Sequence, residues 1–361
     1  MTLALFVLGL VALVAGAQLL VRGAAKLALA LAVSPLVVGL TVVAFGTSAP
    51  ELAISVRAAW GGQTDIALGN VVGSNIFNVL FILGLSALVA PLVVAPQVVR
   101  QEVPVMLAVS LALFALALDG GIGRADGALL FGLLVAYTVF LVWQSRRETR
   151  ATQDEFAHEL PGAARQTWDR HWSAQLGLIA AGLALLVAGA RWLVEAAVAI
   201  AAALGLSEMV IGLTIVAAGT SLPEAATSVV AALRGERAIA VGNIVGSNAF
   251  NILAVLGLSA LLAPAALPVA PAMLRFDIPV MIAVAAACLP IFFSGHLIAR
   301  WEGALFLAYY AAYAAYLLLA ARQHDALDAY GTVMATVVLP LTAITLAVIG
   351  WREWRARRRA F

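Results

Sequence analysis

Of the 361 residues, 64% are hydrophobic and only 11% charged, against about 25% charged in soluble proteins, which excludes a soluble globular fold. A net charge of +2 is too small for a nucleic-acid surface. The single cysteine, Cys288, leaves neither a disulfide framework nor a thiolate metal cage.

A hydrocarbon core of roughly 30 Å is crossed by about 20 apolar residues. Apolar stretches bounded by charges and Gly/Pro breaks predict spans over 3–21, 29–57, 66–90, 103–119, 127–143, 174–194, 203–233, 238–264, 277–294, 303–321 and 331–350. The predicted fold is an all-α polytopic membrane protein of eleven spans. No positive residue precedes the first span, whereas Arg22 and Lys26 follow it, the pattern of an uncleaved segment with its N-terminus outside. That orientation puts 16 of the 21 Lys and Arg residues inside, including those of the tail WREWRARRR. Four lie outside (Arg57, Arg124, Arg275 and Arg322), and Arg191, near a span end, is left uncounted. The expectation is a plasma-membrane protein, inner membrane in a bacterium, with its C-terminus in the cytoplasm. The one long hydrophilic segment, residues 144–172, reads as a cytoplasmic linker. Its His158 and His171 stand near carboxylates but read more simply as solvated than as a metal site.

Displaced by 173 residues, Ser34–Ser86 aligns with Ser207–Ser259 without a gap and with 33 identities in 53 positions. The match extends to Arg100, Glu102, Pro104 and Met106 against Arg275, Asp277, Pro279 and Met281, and to Arg124 and Asp126 against Arg300 and Glu302. The chain therefore divides into a first five-helix repeat (1–143), the linker (144–172), a second five-helix repeat (173–322), and an extra helix with a basic tail (323–361). Five is odd, so the second copy enters from the opposite side, giving two inverted-topology repeats. Transporters use this architecture around a midplane site.

The second span of each repeat carries the same phrase, GLTVVAFGTSAPELAISV at 39–56 and GLTIVAAGTSLPEAATSV at 212–229, which buries Glu51 and Glu224 in the bilayer. A charge there costs from about 3 kcal/mol upward, so both should be partnered or functional, and the repeat motifs hold no Lys or Arg at that depth. Thr47 and Ser48 precede Glu51 by four and three positions, as Thr220 and Ser221 precede Glu224, which places them on the same helix face. These hydroxyls either ligate a cation or bond back to the preceding turn. Pro50 and Pro223 remove backbone donors, and Gly46 and Gly219 ease a bend, which frees carbonyl oxygens suited to a hard cation.

The third spans supply ALGNVVGSNIFN at 67–78 and AVGNIVGSNAFN at 240–251. Ser74 with Asn78, and Ser247 with Asn251, present paired neutral oxygens at i, i+4. Asn75 and Asn248 point elsewhere, toward broken backbone or the other repeat, and Asn70 and Asn243 read equally as structural or as ligands. Gly69, Gly73, Gly242 and Gly246 read as close helix packing. Two carboxylates give the site a formal charge of about -2, which balances one calcium or two sodium ions.

The paired GTSxPE and GNxxGSNxxN motifs make the chain resemble the calcium/cation antiporter superfamily, and within it the prokaryotic sodium/calcium exchangers, over most of its length. The resemblance implies ten core helices in two inverted halves, with calcium held by Glu51, Glu224, Thr47 and Thr220. It implies sodium held by those groups with Ser48, Ser221, Ser74, Ser247 and the carbonyls of Ala44 and Ala217. Some relatives carry Asp where this chain has Asn251, which favours a potassium-independent cycle here, and the short linker leaves no room for calcium-sensing domains. The expected substrates are calcium and sodium in a lipid bilayer, with no cofactor, no catalysis and no protein partner. A proton-coupled calcium antiporter is the near alternative and a cation channel the remote one. An intramembrane hydrolase fares poorly, because His296 lies near a span end, His324 in a loop, and no paired Asp sits at depth.

Overall fold

The computed structural model describes residues 2–31, 33–147, 171–203, 217–321, 324, 326–342, 345, 351 and 355. These form a mostly helical bundle, of which eight helices are long and apolar enough to cross a membrane, or nine with a bent pair counted as one span. They are α1 (Thr2–Leu31), the bent pair α2 (Pro35–Thr47) and α3 (Ala49–Trp60), α4 (Thr64–Val89), α5 (Val98–Ala117) and α6 (Arg124–Arg147). After the linker come α7 (Trp172–Ala203), the short α8 (Ala217–Gly219) and α9 (Leu222–Leu233), α10 (Arg237–Leu262), α11 (Met273–Phe293), α12 (Arg300–Ala321) and α13 (Ala326–Thr342).

Helix α1 runs ten residues past the predicted end of the first span, so Arg22 and Lys26 sit within the helix rather than after it, Lys26 buried. Long cationic side chains can keep an apolar stem in the bundle while the head reaches a polar layer, so a positive residue need not end a helix. Arg191 lies within α7, exposed and paired with Glu195 at 2.7 Å. The linker residues 148–170, including His158, the first half of the seventh span and most of the end of the eleventh lie outside the described residues.

The third span of each repeat forms the centre. In α4 and α10, 78% and 89% of the apolar window is buried inside the protein, against 17% for α6 and 6% for α12, which face outward. Close approach at the centre depends on glycine: a Cβ on Gly246 would stand 2.7 Å from the backbone of Leu40, which no side chain tolerates. The repeat counterparts that Gly69 and Gly73 would face, residues 209–213, lie outside the described residues. Helices α1 and α7 also meet backbone to backbone, since a Cβ on Gly16 would lie 2.7 Å from the carbonyl of Gly182. Gly9, Gly16 and Gly23 repeat every seven residues along that seam, opposite Gly182 and Gly189. Cys288 is buried against Val284, a packing residue as expected.

Two short antiparallel strand pairs tie the halves together at their loops. Strand β1 (Leu92–Val93) pairs with β4 (Leu297–Ile298), and β2 (Gly121–Ile122) with β3 (Leu267–Pro268). By the repeat alignment β1 corresponds to β3 and β2 to β4, so each clip joins a loop of one repeat to the other loop of its mate.

Candidate functional site: a two-carboxylate cation site

The second span breaks where the sequence says it should. Pro50 offers no N–H to the carbonyl of Gly46, and the axis turns by 48° between α2 and α3. Ser48 becomes the N-cap of α3, and Ser221 takes the same place at α9, with Pro in the first turn of each. Glu51 and Glu224 then fall in that first turn, at the positive end of the helix dipole, which favours an anion.

Neither serine caps its own helix. The Ser48 hydroxyl donates to Glu224 Oε1 at 2.9 Å, and the Ser221 hydroxyl donates to Glu51 Oε1 at 3.0 Å. Ser221 also lies 3.2 Å from Ser74 Oγ, which brings α4 into the same cluster. Ser48, Ser221, Ser74, Glu51 and Glu224 are all buried. The threonines are held one layer further out. Thr47 Oγ1 lies 3.1 Å from both the Val43 carbonyl and Asn243 Oδ1, and Thr220 Oγ1 donates to Asn70 Oδ1 at 3.3 Å. Each hydroxyl proton is thus used within the protein, while the oxygen keeps lone pairs.

Asn70 and Asn243 are the frame of this layer. Asn70 donates to Ser55 Oγ and to the Glu51 carbonyl, and Asn243 donates to Ser228 Oγ and to the Glu224 carbonyl. Both amides therefore make the structural bonds that were one of the two roles open to them. The Ala44 carbonyl, expected to be free, accepts the Ser48 amide at 3.0 Å and lies 3.4 Å from Thr47 Oγ1. Ala217 opens α8. Ser74 and Ser247 lie on α4 and α10 one turn before Asn78 and Asn251, where each helix widens into a π-turn, Asn78–Leu83 and Asn251–Leu256. Such turns are common at functional sites.

Among the described residues, six buried oxygens of the motifs have no hydrogen-bond partner: Glu51 Oε2, Glu224 Oε2, Asn78 Oδ1, Asn251 Oδ1, Ser247 Oγ and Thr227 Oγ1. Buried polar atoms are rarely left unpaired, because each costs about 1–3 kcal/mol. Four of them, the two carboxylate and two amide oxygens, are acceptors only and come two from each repeat, which suits a cation with oxygen ligands. Among the described residues no three His, Cys, Asp or Glu side chains cluster as a metal site.

Comparison with known proteins places the chain in a family. Residues 1–143 and 174–319 match the family described as sodium/calcium exchanger protein. The chain belongs to this family. It is a multi-pass membrane exchanger, and the linker is the internal segment the match leaves out. Among curated exchanger relatives, the putative antiporter CaxA of Alkalimonas amylolytica is 41% identical over 74% of this chain and 83% of its own. The sodium/calcium exchanger MaX1 of Methanosarcina acetivorans is 35% identical over 86% of this chain and 96% of its own. A solved structure of the sodium-calcium exchanger NCX_Mj superposes with a TM-score of 0.74 at 31% identity, covering 88% of this chain and 98% of that one.

Proposed function

We propose that the chain is a sodium/calcium antiporter of the plasma membrane that works by alternating access. Calcium binds between Glu51 and Glu224, with Thr47 and Thr220 behind them. Sodium ions occupy the same groups together with Ser48, Ser221, Ser74, Ser247, Asn78, Asn251 and the carbonyls of Ala44 and Ala217. The observation that carries this reading is the pair of buried glutamates whose Oε2 atoms, like Asn78 Oδ1 and Asn251 Oδ1, have no hydrogen-bond partner among the described residues. A cage of charge about -2 cannot cross an apolar barrier empty, so it moves only when loaded, and exchange rather than leak follows.

The eleven-span, inverted-repeat topology is part of the same proposal, and the strand clips support it. Paired strands share a membrane face, so an even number of crossings must separate them. Between β1 and β4 lie α5, α6, α7, α10 and α11, which is an odd number of described spans. The seventh span predicted from the sequence, the segment 203–233, is counted as the sixth crossing. Between β2 and β3 the same segment brings three described spans to four. This parity agrees with the distribution of Lys and Arg, with the N-terminus outside and the C-terminus in the cytoplasm.

The test is radiolabelled calcium uptake into proteoliposomes under sodium, proton and potassium gradients imposed one at a time. Uptake driven by an outward sodium gradient, and unaffected by potassium, is the expected result. A proton-coupled cycle is the second reading, favoured by the two bare carboxylate oxygens, which a proton would satisfy as well as a metal ion does. Uptake driven by a pH step in sodium-free buffer would establish it in place of sodium coupling.

A further inference from the structure

Four asparagines lie buried where α4 crosses α10, and their bonds run only between the repeats. Asn75 Nδ2 donates to the backbone carbonyl of Asn248 at 3.2 Å and to Met281 Sδ at 3.5 Å. Asn248 Nδ2 donates in return to the carbonyl of Asn75 at 3.4 Å and to Met106 Sδ at 3.4 Å. A backbone carbonyl and a thioether are acceptors only, so the two amides cannot be turned around: a flip would set oxygen against oxygen. Their own Oδ1 atoms are thereby fixed as acceptors. Asn251 Nδ2 donates to Asn75 Oδ1 at 3.1 Å, and Asn78 Nδ2 donates to Asn248 Oδ1 at 3.0 Å. With the nitrogen committed, the Oδ1 of Asn78 and of Asn251 is the end left without a partner.

We propose that Asn75 and Asn248 are positioning residues of the transport site: each fixes the amide of the facing Asn251 or Asn78 so that its oxygen, and not its NH2, meets the cation. The chain of constraint starts at a backbone carbonyl of one repeat, passes through a side chain of the other and returns to a ligand of the first. Without it, an amide could present either end, and the nitrogen end repels a cation. The two-fold exchange gives each repeat control of one ligand of the other. This proposal rests on Asn78 and Asn251 facing the transported ion.

A double-mutant cycle on the full chain in proteoliposomes tests it, reading KM and maximal rate of sodium-driven calcium uptake. Asn251→Ala and Asn75→Ala are each expected to raise the sodium KM, the sodium concentration that drives half-maximal calcium uptake, by about tenfold, with a smaller change in maximal rate, as suits loss of one oriented sodium ligand. The double variant is expected to match Asn251→Ala alone, because no amide is left to orient. Additive losses overturn the proposal and leave Asn251 as a ligand, whereas an unchanged KM in Asn251→Ala overturns both the proposal and the placement of Asn251 at the ion. The same cycle on Asn248 and Asn78 is an independent measurement of the other half, and it decides the matter where Asn75→Ala does not purify as a folded protein by melting temperature.

Discussion

Ser221 donates to Glu51 across the two repeats, and the serine that stands three residues before Glu51 in its own helix, Ser48, donates instead to Glu224. The local phrase Ser-x-x-Glu ordinarily closes on itself as a helix cap. Here the cap is exchanged, so each carboxylate is held by a hydroxyl from the other half. A displacement of one broken helix relative to the other changes the hydrogen bonding of both glutamates together.

Glu51→Gln and Glu224→Gln are each expected to abolish sodium-driven calcium uptake, because one neutral amide halves the site charge and removes an anionic ligand. Both proteins should retain the melting temperature of the parent within a few degrees, since the isosteric amide can still accept from Ser221 or Ser48. Uptake at the parental rate in both variants would show that the ion is bound elsewhere.

Ser48→Ala and Ser221→Ala are expected to weaken calcium binding by about tenfold each, the worth of one hydrogen bond to a charged acceptor. Their effects should be similar to each other, as the exchange is reciprocal, and isothermal titration of purified protein reads them directly. A loss confined to one of the two would contradict the reciprocity.

The bend of the second span was legible from Gly46 and Pro50, and the depth of both glutamates from the apolar run around them. The repeat also made the two-fold pairing of motifs legible. What could not be read was which serine serves which glutamate, because i, i+3 spacing describes one helix and the bond is made between two. Asn70 and Asn243 illustrate the same limit: both oxygen and nitrogen were available in the sequence, and only the nearness of Ser55 and Ser228 assigns them to the frame. The length of α1 was missed because charges at Arg22 and Lys26 mark a polar layer, not the end of the hydrogen-bonded backbone.

Single cysteines at Val93 and Leu297, both exposed and paired in the first clip, should react with an impermeant thiol reagent from the cytoplasmic side. Cysteines at Gly121 and Pro268 in the second clip should react from the outside. Cys288 is buried and gives a low background. Labelling of the two members of one clip from opposite sides would contradict the proposed topology.

Gly16→Val and Gly182→Val place a branched side chain where the partner backbone lies 2.6–2.8 Å away, so α1 and α7 must separate. Each should destabilise the protein by about 1–3 kcal/mol or more, read as a lower melting temperature and a poorer yield of monodisperse protein. Gly62→Ala, at an open position on a loop with φ of 76°, is a useful contrast. There the cost is backbone strain alone, and transport should persist.

The two strand clips have a consequence for how the molecule is made. Every strand in them finds its mate in the other repeat, so β1 has no partner until residues 297 and 298 have been synthesised. A protein cut after α6 would display two open strand edges and the bare glycine seam of α1. In a single-copy ancestor those edges would close by pairing with a second, oppositely inserted molecule of itself.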